Sequence, residues 1–168
     1  MSQPDDLETV FRDTMAGVCT PVSVVTALSG EAPHGTTVNA FASLSMSPPM
    51  VLVSLAHTSE LLGLIRQTGR FGLNILASDQ AQLALTFARK GDAGRFTGVR
   101  WDIEDGVPRI AGTCGFLVCD VAELVSGGDH TVVQGFVRAA EAGAGAPLTY
   151  HLRSFGTHTV LTEGRDLS

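Results

Sequence analysis

The chain has 168 residues and a mass of 17.6 kDa, enough for a single cored domain over 1–168 but too short to add a separate nucleotide-binding domain, so a cofactor is expected on that domain or between two copies of it. A net charge of −6 with no basic arm excludes a general nucleic-acid binder, because phosphate backbones are held by many cations. The charged fraction of 17%, below the usual figure of about 25%, suits a surface partly buried in an oligomer.

The opening Met-Ser-Gln-Pro-Asp-Asp carries no basic or apolar leader, and no apolar run approaches the roughly 18 residues of a membrane span. A cytoplasmic, soluble protein that engages no membrane is expected. Cys19, Cys114 and Cys119 cannot all pair and lack metal-ligand spacing, so they read as reduced, with no metal site.

Apolar residues at 7, 10, 11 and 15 predict a helix over 7–15, capped by Asp5 or Asp6. Val22–Leu28 reads as a strand, turning through 29–33 into a second strand that runs to the Pro48-Pro49 pair. A period of two over that second strand puts Thr37, Asn39, Phe41, Ser43 and Ser45 on a polar face, and Val38, Ala40, Ala42, Leu44 and Met46 on a core face. Small polar residues let a flat ligand reach the strand's own N–H and C=O groups. Met50–Ala56 reads as a third strand buried on both sides.

Thr58-Ser59 caps a helix that ends at Gly69, and Phe71–Leu76 returns as a strand. Ser78 or Asp79 is expected to cap a helix ending in Arg89-Lys90, before Gly91. Further strands are expected over 101–104, 115–124, 131–140 and 148–152, with Gly127-Gly128-Asp129 as a sharp turn and 139–147 as a flexible one. Trp101 reads as a packing residue. The pattern is mainly β, a closed antiparallel Greek-key-like barrel with a few short peripheral helices, a core over about 11–152 and a frayed tail beyond 162.

Within this acidic chain, Arg89, Lys90 and Arg95 fall inside seven positions and would suit a phosphate group. Gly17-Val18, Val24-Val25-Thr26, the run from Gly35 to Phe41, the run from Ser45 to Pro49, the run from Phe71 to Leu76, Leu117-Val118-Cys119 and Gly128-Asp129-His130 together resemble the short-chain flavin reductases that serve two-component monooxygenases. The match runs from about Phe11 to Tyr150.

That resemblance implies an FMN-binding split β-barrel, a homodimer with flavin near the subunit interface, and a partner oxygenase. It implies hydride transfer from NADH or NADPH to N5 of FMN or FAD, followed by release of the reduced flavin. It places the flavin ring along Thr37, Val38, Asn39 and Ala40 and along Ser43, Leu44 and Ser45. The ribityl chain and phosphate would lie at Ser54, Leu55, Ala56, His57, Thr58 and Ser59, with Arg89, Lys90 and Arg95 as phosphate-facing cations. His130 would stand beside the nicotinamide as the catalytic residue, with Asp129 setting its turn. Where relatives often carry a basic residue, this chain has Ala56-His57, which shifts phosphate neutralisation to residues 89–95.

Plainer readings stand beside these. The 36–49 stretch would also serve as an edge strand, His130 as a turn histidine, and Arg89-Lys90 as cations on a helix dipole. A non-catalytic flavin carrier or sensor, and a flavin-dependent oxidase or oxygenase acting on an organic substrate, would share the fold. Hydrolase, P-loop and Rossmann motifs are missing from the sequence.

Overall fold

The computed structural model describes residues 4–91 and 94–162. In chain order the elements are α1 (Pro4–Ala16), β1 (Thr20–Pro21), β2 (Ser23–Ser29), β3 (Ala32–Val38), β4 (Phe41–Met46), β5 (Pro49–Ala56), α2 (Glu60–Thr68), β6 (Arg70–Ile75) and α3 (Ala81–Ala88). There follow β7 (Trp101–Glu104), β8 (Val107–Ile110), β9 (Gly115–Gly127), β10 (His130–Ala142), β11 (Leu148–His151) and β12 (Ser154–Thr157).

Seven strands form one antiparallel sheet in the order β3-β2-β6-β9-β10-β5-β4. Its two edge strands are consecutive in sequence, joined only by Asn39 and Ala40. Seven strands about 4.8 Å apart would put the edges about 29 Å from each other if flat, whereas three Cα steps from Val38 to Phe41 span at most about 11 Å. The sheet is therefore rolled. No ladder joins β3 to β4, so the expected closed barrel is corrected to a rolled sheet with an open seam, mainly β as predicted.

Inside the roll, Val25, Val53, Phe71, Leu73 and Val133 meet Leu61, Leu62 and Ile65 of α2. Each such side chain, once buried, contributes on the order of 1.5–3 kcal/mol. A second cluster, with Val22, Leu76, Phe87 and Leu148, lies under α3. Phe96 packs edge-on against Phe87 at 4.8 Å and against Trp101 at 5.5 Å, the packing role expected for that indole. Buried Asn74 donates to Thr26 Oγ1 at 3.1 Å and accepts from the Ile110 N–H at 2.8 Å, which fastens β8 onto the sheet.

The main correction concerns residues 36–46. They form two strands at opposite edges of the sheet, and β4 carries an irregularity between Ser43 and Ser45. The face expected to be core is exposed at Ala40, Ala42, Leu44 and Met46, while Phe41 packs against the core. A period of two cannot hold its phase through a corner and a bulge. Likewise β5 is buried on one side only: Val51, Val53 and Leu55 point inward.

Asp5 and Asp6 lie inside α1, whose apolar residues Leu7, Val10, Phe11 and Met15 are exposed. Gln80, not Ser78 or Asp79, precedes α3. Part of the expected 139–147 turn is strand, because β10 continues to Ala142, and the tail beyond 162 lies outside the described residues. All three thiols are free; burial pushes the Cys119 thiol up to about 12. No helix among the described residues is long and apolar enough to cross a membrane.

Candidate functional site

Local chain chemistry builds a cleft where three segments converge. Ser59, with φ −71° and ψ 122°, caps α2 by accepting from the Leu62 N–H at 3.4 Å. This opens the helix N-terminus, with its unmatched N–H groups, toward the end of β5. Opposite, α3 ends at Arg89 in extended geometry, and Gly91 turns the chain at φ 82°. The third wall is His34–Thr36 of β3, where a Cβ on Gly35 would lie 3.0 Å from the Phe87 ring. Between them is a cleft of about 540 Å³ lined by Ala56, Thr58, Ser59, Arg89, Lys90 and Arg95, with Glu60 as its one acid among the described residues.

Arg95 departs from expectation. Its guanidinium donates to the Gly35 carbonyl at 2.6 Å and to the Arg89 carbonyl. It thus ties the chain after α3 to β3 and to the end of α3, so much of its hydrogen-bonding is directed at the wall. Arg89 and Lys90 are exposed on the cleft.

Thr36 and Ala88 also border a second chamber of about 300 Å³, between α3, β3 and the β11–β12 hairpin. Here Thr37 Oγ1 donates to the Ala84 carbonyl at 2.6 Å, and Asn39 Nδ2 donates to Thr20 Oγ1 at 3.1 Å.

On the far rim, β9 and β10 are joined by a two-residue turn, with Gly128 at φ 63° in the position that type II′ turns reserve for glycine. The turn is docked by the His57 N–H, which donates to the Asp129 carbonyl at 2.9 Å, and register sets His130 opposite Ala56. His130 Nδ1 lies 2.7 Å from Asp129 Oδ1. The contact with the histidine holds the Asp129 carboxyl below its ordinary range.

Of the residues singled out from sequence, Ala56, Thr58, Ser59, Arg89, Lys90 and Arg95 meet in the first cleft, and Thr37 and Asn39 line the second. His57, Asp129 and His130 gather at the rim. The Ser54 N–H donates to the Ala40 carbonyl at 2.9 Å beside the seam. Val38 and Leu55 turn their side chains into the core, leaving only main chain for a ligand. Ser43, Leu44 and Ser45, on β4, line neither chamber. Sequence reasoning gave no site role to His34, Gly35 and Thr36; a glycine within a strand is the signal for close backbone approach that marks them.

Comparison with known proteins follows the same lines. A model of the flavin reductase like domain matches residues 15–159. The FMN reductase (NADH) of Agrobacterium fabrum is 40% identical over 147 residues, covering 87% of this chain and 83% of that protein. The reductase component of the 4-nitrophenol 4-monooxygenase/4-nitrocatechol 2-monooxygenase of Rhodococcus opacus is 38% identical over 146 residues, covering 87% and 78%. Among solved structures, an NADH:FAD oxidoreductase of Streptomyces globisporus in complex with NAD and FAD fragments superposes with a TM-score of 0.88 at 29% identity, covering 97% of this chain and 99% of that one. With the family model spanning most of the sequence and the fold agreeing, the chain belongs to the flavin reductase like domain family.

Proposed function

We infer that this protein is an NADH-dependent flavin reductase that hands reduced flavin to a partner monooxygenase. The observation that carries the reading is the cleft itself: hydroxyls of Thr58 and Ser59, the α2 N-terminus, and two exposed cations beside a rim that presents His130. This donor set fits a phosphate monoester, since helix N-termini and charged donors both favour an anion.

Arg89, Lys90, Thr58 and Ser59 would hold the flavin phosphate, and the main chain of 37–40 and 54–56 would hold the ring. Bound flavin supplies the hydride acceptor, so the protein positions its reactants and needs no strong acid or base of its own. His130, its Nδ1 engaged by Asp129, keeps Nε2 for polar groups of the nicotinamide. Arg95 acts by fixing the wall. The rolled sheet is read as the split barrel of the family, working in the cytoplasm.

A homodimer completes the reading. On the outer face of β5 and β10, Met50, Leu52, Val132 and Phe136 are only half-buried, alternating with the inward residues. Ser54, Ala56 and His130 continue that same face, so a second copy covering it would reach the site.

Anaerobic mixing of the protein with NADH and free FMN or FAD tests the activity through loss of the oxidised flavin's visible absorbance. If neither flavin is reduced and flavin instead co-purifies unreduced, the chain is a carrier and not a reductase. His130→Ala is expected to raise KM for NADH more than it weakens flavin binding; equal losses would remove His130 from the nicotinamide side. Leu52→Arg is expected to yield a monomer by light scattering, with weakened flavin binding.

A further inference from the structure

We propose that Glu60 is a specificity-determining residue of the first cleft, a fixed negative charge that penalises a phosphate monoester more than a diester and so narrows the preference for FMN over FAD. The inference rests on reading that cleft as the flavin phosphate site. It goes beyond that reading by naming a group that works against the ligand.

Glu60 opens α2 directly after the Ser59 cap, is exposed, and lines the same cleft as Arg89, Lys90 and Arg95. A carboxylate among cations ordinarily closes on one of them. Here it does not: among the described residues no ion pair joins Glu60 to Arg89, Lys90 or Arg95. Acid and bases therefore stand apart across the space that an anion would enter. An acid in the first turn also stabilises a helix through its dipole, and a purely structural role for Glu60 would amount to that. Its place argues for more, because the open N–H groups of α2, the hydroxyls of Thr58 and Ser59, and Arg89 and Lys90 converge beside it.

Repulsion scales with the charge of the ligand. The phosphate of FMN is a monoester with about 1.5 to 2 negative charges at neutral pH. The phosphate in the same place in FAD is a diester with a single charge, the next charge being displaced onto the second phosphate. Riboflavin has none. Two unit charges about 6 Å apart in a solvent-open, salt-screened cleft change an affinity by roughly two- to threefold. Two charges square that factor, giving about four- to ninefold for FMN. Arg89 and Lys90 follow the same scaling with the opposite sign, so they favour the monoester and Glu60 offsets part of that preference.

Calorimetric titration of the full chain with FMN, FAD and riboflavin, without NADH, reads the effect. Glu60→Gln keeps the side chain's size and removes its charge. FMN affinity should rise about four- to ninefold, FAD affinity about two- to threefold and riboflavin affinity less than about 1.5-fold. The FMN gain should shrink toward the riboflavin value as salt is raised to about 1 M. Glu60→Asp, which keeps the charge, should leave the FMN-to-FAD ratio within about twofold of wild type. A lower Tm in Glu60→Gln with an unchanged FMN-to-FAD ratio would assign Glu60 to the helix dipole alone and overturn the proposal. Equal gains for all three ligands overturn it too, since they would report a reshaped cleft, as do equal gains for FMN and FAD. Wild-type protein that binds neither FMN nor FAD removes the proposal together with the phosphate reading of the cleft. Wild-type protein with the expected affinities that transfers no hydride from NADH to either flavin sinks the reductase reading and leaves the role of Glu60 standing.

Discussion

Two groups of cations in this molecule obey opposite rules. Arg70 and Arg138 each place Nε 2.7 Å from a different oxygen of Asp120, pinning β6, β9 and β10 together and holding the Asp120 carboxyl below its usual range. Arg109 bridges Glu104 and Glu141 at 2.6 Å each and lies over the Phe116 ring at 5.2 Å. Arg89 and Lys90 instead line a cleft with hydroxyls and a helix N-terminus, and among the described residues neither has a carboxylate partner. Charge matched within the protein acts on the fold; charge left facing a cleft is available to an incoming anion.

The sharpest way to break that division is Arg89→Ala with Lys90→Ala. Hydrogen bonds to charged groups are worth about 1.5–3 kcal/mol, so FMN affinity should fall about 10- to 100-fold by titration, with riboflavin affinity and the unfolding midpoint nearly unchanged. A several-degree loss of Tm would place these cations with the structural group. Arg109→Ala should do the reverse: about 1 kcal/mol or less for partly exposed pairs, seen as a fall in Tm of about 2–4 °C, with flavin affinity intact.

The smallest effect is in the acid limb of stability. Because the folded Asp120 carboxyl is depressed, chiefly by its hydrogen bond from Arg70, its contribution is complete above the ordinary carboxylate value near pH 4 and fades as pH falls below it. Denaturant titrations of wild type and Asp120→Asn should therefore differ at pH 6 and converge toward pH 2. A difference that holds constant across that range would mean the ion pairs contribute nothing.

Local chemistry is what the sequence makes legible. Ser59 and Gly69 mark both ends of α2 because an N-cap hydroxyl and a left-handed C-cap, at φ 68°, are decided by residues a turn apart. The Arg89-Lys90 pair and the Gly128-Asp129 turn are readable for the same reason. The corner at Asn39-Ala40 is not, since whether a chain continues along a strand or crosses to another edge depends on partners far away in sequence. Short β8, with Pro108 inside it, and β12, with Gly156, lack the β-branched runs that advertise strands. Arg95 was legible as a cation of the cleft but not as a brace, because its acceptors are carbonyls of Gly35 and Arg89, and main-chain acceptors leave no compositional trace.

The two-residue link between the sheet's outermost strands has one more consequence. Asn39 and Ala40 are the clasp of the cylinder: the Phe41 N–H donates to the Asn39 carbonyl, and the Ser54 N–H to that of Ala40. A circular permutant reopened there would retain the ladders of the seven-stranded sheet while freeing its two lips to part, and cofactor retention would then report on spring tension in the wall and not on any lost side chain.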